Sequence, residues 1–170
     1  RPASARFTSA TATFPAALAA GHTIRFGGSI RTADVPADGY AGLWWRADAG
    51  ARIAVAFDNM QQQGIRGTRP WRHYELTLAI PDSTTNVNFG CLLSGAGTAW
   101  FDSLTVEIDG QPYAGDASLD LSMERSDRPV GFGTAWAAQG GYTIDFDSTT
   151  AVAGRRSLRL RKVGPVVPAT

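Results

Sequence analysis

A chain of 170 residues with 44% hydrophobic and 10% aromatic content is too apolar to be globally disordered, and it has room for one substantial domain or two very small ones. Its formal charge of +1 supplies no long-range attraction for nucleic acid or an acidic membrane, so neither is expected as a partner. Cys91 is the single cysteine, which excludes an internal disulfide, and no apolar run approaches the roughly 20 residues of a membrane-spanning helix.

Taken in chain order, period-two alternation predicts strands over residues 6–14, 24–32, 40–47, 52–57 and 72–80. The pattern continues over 87–94, 98–108, 119–124, 142–146 and 157–161. Turn clusters such as PADG, DAG, IPDSTTN, SGAG and IDGQP separate them, and AALAAG is at most one turn of helix. Many short strands with Gly-rich turns predict an all-β, antiparallel sandwich.

Alternation also assigns faces. Ile24, Phe26 and Ile30 share a core face, as do Leu43 and Trp45, and likewise Tyr74, Leu76, Leu78 and Ile80. Ile53, Val55 and Phe57 are predicted inward by the same rule. Turned outward are Trp44, Arg46, Asp58, His73 and Glu75, and with Asn59 these six form a candidate ligand patch. An aromatic platform beside planar polar groups is what a sugar ring requires. The plainer reading is that Asp58 and Asn59 shape a turn while Glu75 pairs with Arg46 or Arg52. Trp71, Trp100 and Trp136 read as core or rim aromatics.

Catalysis finds no constellation. No serine stands in a G-x-S-x-G elbow, and Cys91 in the apolar run NFGCLL lacks an activating neighbour. Asp58 and Glu75 are the one carboxylate pair that could be nominated for glycoside hydrolysis. The glycines of GFGTAWAAQGG precede no helix that could cradle phosphate. No catalytic residue and no enzyme activity are therefore expected.

The segments AFDNM (56–60), RGTRPW (66–71), the Pro81-Asp82 turn, FGCLLSGAGTAW and WFDSLTVE carry a resemblance over about 70 residues. Together they resemble the jelly-roll accessory domain that precedes the catalytic part of some bacterial S41-type peptidases and erythromycin-esterase-like hydrolases. More broadly they are similar to galactose-binding-like sandwiches, which include many carbohydrate-binding modules. Such domains open with N-x-x-F-E, then a Trp-containing loop, then S-G-x-x-S-L. Here the matching pieces DLSME (120–124), GFGTAW (131–136) and VAGRRSLRL (152–160) follow the closing strand, with Asp120 for Asn and Met123 for Phe.

The order is thus circularly permuted: residues 1–113 resemble the later part of one domain and 117–163 its beginning. A permutant, a cut from a tandem array, or completion of a neighbouring molecule all fit the short 109–118 linker. The resemblance implies a structural Ca²⁺ held by Asp102, Glu124 and carbonyls near Gly154 and Arg155; the alternative is that Glu124 pairs with an arginine such as Arg125 or Arg155. It further implies a non-catalytic, carbohydrate-binding-like accessory module, extracellular or periplasmic. The rival expectation is a structural module that self-associates through residues 117–163.

Overall fold

A computed structural model of the chain describes residues 6–113, 121–124 and 141–162. The elements in order are β1 (Phe7–Phe14), α1 (Ala16–Ala19), β2 (Thr23–Val35), β3 (Tyr40–Ala49) and β4 (Ile53–Asp58). A 3₁₀ turn (Gln61–Gln63) leads to β5 (Gly67–Ala79), β6 (Asn86–Ser94), β7 (Gly97–Ile108), β8 (Gln111–Pro112), β9 (Tyr142–Asp147) and β10 (Ser157–Lys162). They form two antiparallel sheets packed as a sandwich: a four-stranded sheet in the order β1-β6-β3-β4 and a six-stranded one in the order β5-β2-β7-β10-β9, with β8 added beside β7.

The predicted inward residues close the core. Phe14, Phe26, Trp45 and Phe89 are fully buried and meet ring to ring, with Trp45 and Phe89 centroids 4.9 Å apart and Phe26 and Phe89 5.2 Å apart. Each such ring stabilises by on the order of 2–3 kcal/mol through removed apolar surface. Ile24, Ile30, Leu43, Leu76, Leu78 and Ile80 join the same cluster. β5 extends back to Gly67, so most of RGTRPW is strand, and Pro70 is tolerated because β5 is an edge.

Two sequence expectations fail. Ile53 and Phe57 are 65% and 52% exposed, not inward. Phe57 pairs with outward-facing Arg46, and a β-bulge between Ala47 and Asp48 then puts Ile53 out of phase with it, opposite Ala49 at the exposed end of edge strand β4. Nor do residues 121–124 continue a strand: Leu121–Glu124 is a turn, with the Leu121 carbonyl accepting from Leu104 N–H at 3.0 Å. It still plugs the core, because Met123 is fully buried. Trp136 and the rest of GFGTAW lie outside the described residues, as do Asp120 and most of the 117–163 segment proposed for self-association.

The described ends lie side by side. Tyr142, the register partner of Lys162, donates its hydroxyl to the carbonyls of Arg6 (2.8 Å) and Gly95 (2.7 Å). β10, inserted between β7 and β9, completes the sheet of its own chain.

Candidate functional site

Outward residues of the four-stranded sheet follow from its register. Phe7, Ser9 and Thr11 on β1 face the same way as Asn86, Asn88, Leu92 and Ser94 on β6, and as Tyr40, Trp44, Arg46 and Asp48 on β3. Phe57, paired with Arg46, shares this face, and the chain after β4 adds Asn59 and Gln61. The result is an open trough of about 800 Å³.

Trp44 lies at its centre. Its register partner on β6 is Gly90, whose own partner on β1 is Thr11. The indole reaches across β6 to β1, where Nε1 donates to Ser9 Oγ at 2.8 Å. Glycine at position 90 leaves the floor low enough for that reach. A Cβ there would also collide with the Ala10 carbonyl.

Charge sits at one end. Arg46 Nε donates to Asp48 Oδ1 at 2.9 Å, and its Nη2 donates to the Arg52 carbonyl at 3.3 Å. Asp48 is buried beneath this contact, so the guanidinium is fixed against the floor. Elsewhere the trough is lined by amides, hydroxyls and rings, and Asp48 is its one carboxylate among the described lining residues.

The six residues of the sequence-predicted patch divide. Trp44, Arg46 and Asn59 line the trough. Asp58 faces a smaller adjoining hollow of about 390 Å³ and accepts a turn hydrogen bond from Met60 N–H at 2.8 Å. His73 and Glu75 stand on β5, in the opposite sheet. There His73 Nε2 meets Glu75 Oε1 at 3.0 Å, and Arg25 joins Glu75 at 3.7 Å and Glu107. Asp58 and Glu75 therefore do not form a carboxylate pair. Strand order decides this, and a single sequence with local alternation does not contain it. Phe7, Tyr40, Asn86, Asn88 and Phe57 were missed for the same reason, although Asn86 and Asn88 alternate with buried Val87 and Phe89.

Part of the outer face of the six-stranded sheet, around Arg31, Trp71 and Trp100, is covered by the chain itself. Loop 148–156 is tied down by Trp71 Nε1 and Arg31 Nη1, which donate to Thr150 Oγ1 at 3.0 and 2.9 Å. Arg31 also stacks on Trp100, whose Nε1 donates to Asp147 Oδ2 at 2.9 Å. Burial alone would raise the Asp147 carboxyl. Hydrogen bonds from Thr149 and Trp100 and the charge of Arg159 outweigh that and hold it at about 2.

Asp102 and Glu124 do converge on this loop, as the resemblance implied. Asp102 is fully buried; Oδ2 accepts from Val152 and Ala153 N–H at 2.8 and 3.1 Å, and Oδ1 from Ser103 N–H at 2.7 Å. Glu124 Oε1 accepts from Arg155 and Arg156 N–H at 2.9 and 3.2 Å. Gly154 has a positive φ of 70°, and a Cβ there would strike the Glu124 carboxylate. Burial pushes the Asp102 carboxyl up against these amide bonds, and the nearby charge of Glu124 acts in the same direction. At Arg155 the loop turns an amide hydrogen toward Glu124. A calcium cage needs six to eight oxygens, and among the described residues no cluster of three or more His, Cys, Asp or Glu side chains accompanies these two. The arrangement fits a clamp of carboxylates on backbone amides better than it fits the implied Ca²⁺.

Cys91 is buried and its thiol is pushed up by burial, which keeps it in the unreactive protonated form. His22, like His73, pairs with a surface carboxylate, Asp109, at 2.6 Å.

No protein-family model matches the chain, and no solved structure matches it. The chain is similar to an uncharacterised HTH-type transcriptional regulator, YbfP, of Bacillus subtilis (strain 168), at 34% identity over 110 residues. That match covers 65% of this chain and 36% of the relative, so the chain spans little more than a third of that protein. The likeness overturns the expectation that nucleic-acid partners are excluded: net charge spoke only for this chain, whereas the relative is named as a transcriptional regulator. Among the described residues helix is confined to Ala16–Ala19 and the Gln61–Gln63 turn, so no helix-turn-helix is found there.

Proposed function

We propose that this chain is a binding module that receives a carbohydrate-class ligand in the trough of the four-stranded sheet, with Trp44 as the platform for the sugar ring. The observation that carries the reading is the composition of that surface. Rings at Phe7, Trp44 and Phe57 offer apolar faces, while Asn59, Asn86 and Asn88 offer the paired donors and acceptors that hydroxyls need. The opposite outer face offers less, since its charges are paired with one another and its loop is folded down on it.

The resemblance to accessory jelly rolls supports a role in service of another domain. Similarity to part of a regulator suggests that, in such a setting, occupancy of the trough would be read by a DNA-binding part elsewhere. In either setting the module contributes binding rather than turnover.

The test is retention on a panel of neutral and acidic polysaccharides, comparing the native chain with Trp44→Ala. Trp44 lies outside the hydrophobic core, so the variant is expected to fold, with circular dichroism as the control and about 1 kcal/mol lost with the Ser9 hydrogen bond. We expect retention by at least one polysaccharide and its loss in the variant. Binding unchanged by Trp44→Ala, or none at millimolar concentration across the panel, would remove the reading.

A further inference from the structure

We propose that the trough selects an acidic saccharide, with the carboxylate of a uronic-acid unit received at Arg46 and Arg52 while the ring lies toward Trp44. The inference rests on the sugar-binding reading above and adds the charge of the ligand.

Three charged residues line the trough, Arg46, Asp48 and Arg52, which leaves one positive charge in excess. Asp48 pairs with Arg46, its buried carboxylate accepting from Arg46 Nε at 2.9 Å, so the excess positive charge is carried by Arg52. The same bond, with that from Nη2 to the Arg52 carbonyl at 3.3 Å, orients the Arg46 guanidinium and leaves its Nη1 edge for a guest. A guanidinium already held in place loses little rotamer freedom on binding, so more of its interaction with an anion appears as affinity.

Arg52 stands beside it at the tip of the β3–β4 hairpin. Its positive φ of 62° and the bond from its N–H to the Gly50 carbonyl at 2.9 Å fix a tight turn that delivers its side chain to the trough. Among the described residues no carboxylate pairs with Arg52. Two guanidiniums at one end, one of them neutralised, match a single negative charge; planar forks of this kind suit a carboxylate in particular. The amides and rings farther along would then meet the neutral hydroxyls and C–H faces of the same chain of sugars.

The probes are uronic-acid oligosaccharides (galacturonides, glucuronides and mannuronides) and their methyl esters, which keep the ring and remove the charge. Titration calorimetry on the whole chain compares native protein with Arg52→Gln, Arg46→Lys and Trp44→Ala. We expect one acid to bind about tenfold more tightly than its ester, as one charge-assisted contact gives. Arg52→Gln and Arg46→Lys should each erase most of that preference by weakening the acid much more than the ester, and raised salt should likewise weaken the acid more than the ester. Circular dichroism confirms that each variant is folded. Equal binding of acid and ester, both lost in Trp44→Ala, overturns the charge proposal and keeps the sugar-binding reading. An acid preference indifferent to both arginines overturns the proposed site. Absence of binding by acids, esters and neutral polysaccharides overturns both.

Discussion

Replacing Asp147 with Asn tests whether the network over the six-stranded sheet stabilises the fold through charge. The carboxylate accepts from Thr149 N–H and Oγ1 at 2.8 and 2.6 Å, from Trp100 Nε1 at 2.9 Å, and from Arg159 Nη1 at 3.3 Å. A carboxyl held at about 2 instead of 3.8 is worth on the order of 2 kcal/mol of folding stability, at about 1.4 kcal/mol per tenfold change in proton affinity. Its side chain is only 7% exposed, so solvent screens little of this.

The folded value lies below the unfolded one. The contribution is therefore complete well above 3.8 and is lost as pH falls through about 2. Asp102, raised by burial, acts in the opposite sense, its contribution being lost as pH rises through its folded value. Because both act in the native chain, the quantity to follow is the difference between native protein and Asp147→Asn in urea unfolding, measured from pH 7 to pH 2. We expect a gap of about 2 kcal/mol at pH 7 that closes toward pH 2. A gap that stays constant with pH would refute the argument, since packing or hydrogen bonding without ionisation would then account for it.

Gly154→Ala should destabilise by about 2–4 kcal/mol, because a left-handed backbone and a clash with the Glu124 carboxylate add together; urea midpoints measure it, and a loss below about 0.5 kcal/mol would contradict the clamp. Adding millimolar Ca²⁺, or removing it with a chelator, should leave the melting temperature unchanged, because amides already occupy the acids; a rise of several degrees would restore the cation site at Asp102 and Glu124. Phe57→Ser should alter stability by less than about 0.5 kcal/mol, as an exposed edge residue does, yet weaken ligand binding; a large loss of stability would return Phe57 to the core.

Much of the fold was legible because alternation needs no knowledge of partners. In WRHYELTLAI the pattern placed Leu76, Leu78 and Ile80 inward, and the sheet keeps that phase. RIAVAFD has equally regular alternation, but its register against β3 sets Phe57 opposite outward-facing Arg46, and a bulge breaks its phase with Ile53. One extra residue has that effect wherever the side-chain period is two. The site was only half legible. Trp44 and Arg46 lie on one strand, so their shared face could be read directly. His73 and Glu75 were joined to them on polarity alone, and the order of strands placed them in the other sheet. Convergence of Asp102 and Glu124 came through the resemblance to permuted jelly rolls. Which polar end of the loop faces them depends on backbone rotation at residues such as Gly154, which residue types do not specify.

The central claim is that function resides on the four-stranded face. Backbone amide chemical shifts, followed by heteronuclear NMR during titration with a retained oligosaccharide, test it most directly. The account predicts shifts confined to Ser9, Thr11, Trp44, Arg46, Asn59, Asn86 and Asn88 and their strand neighbours, with none at Arg25, His73, Glu75 or Glu107. Shifts centred on the latter group, with the trough silent, would contradict it.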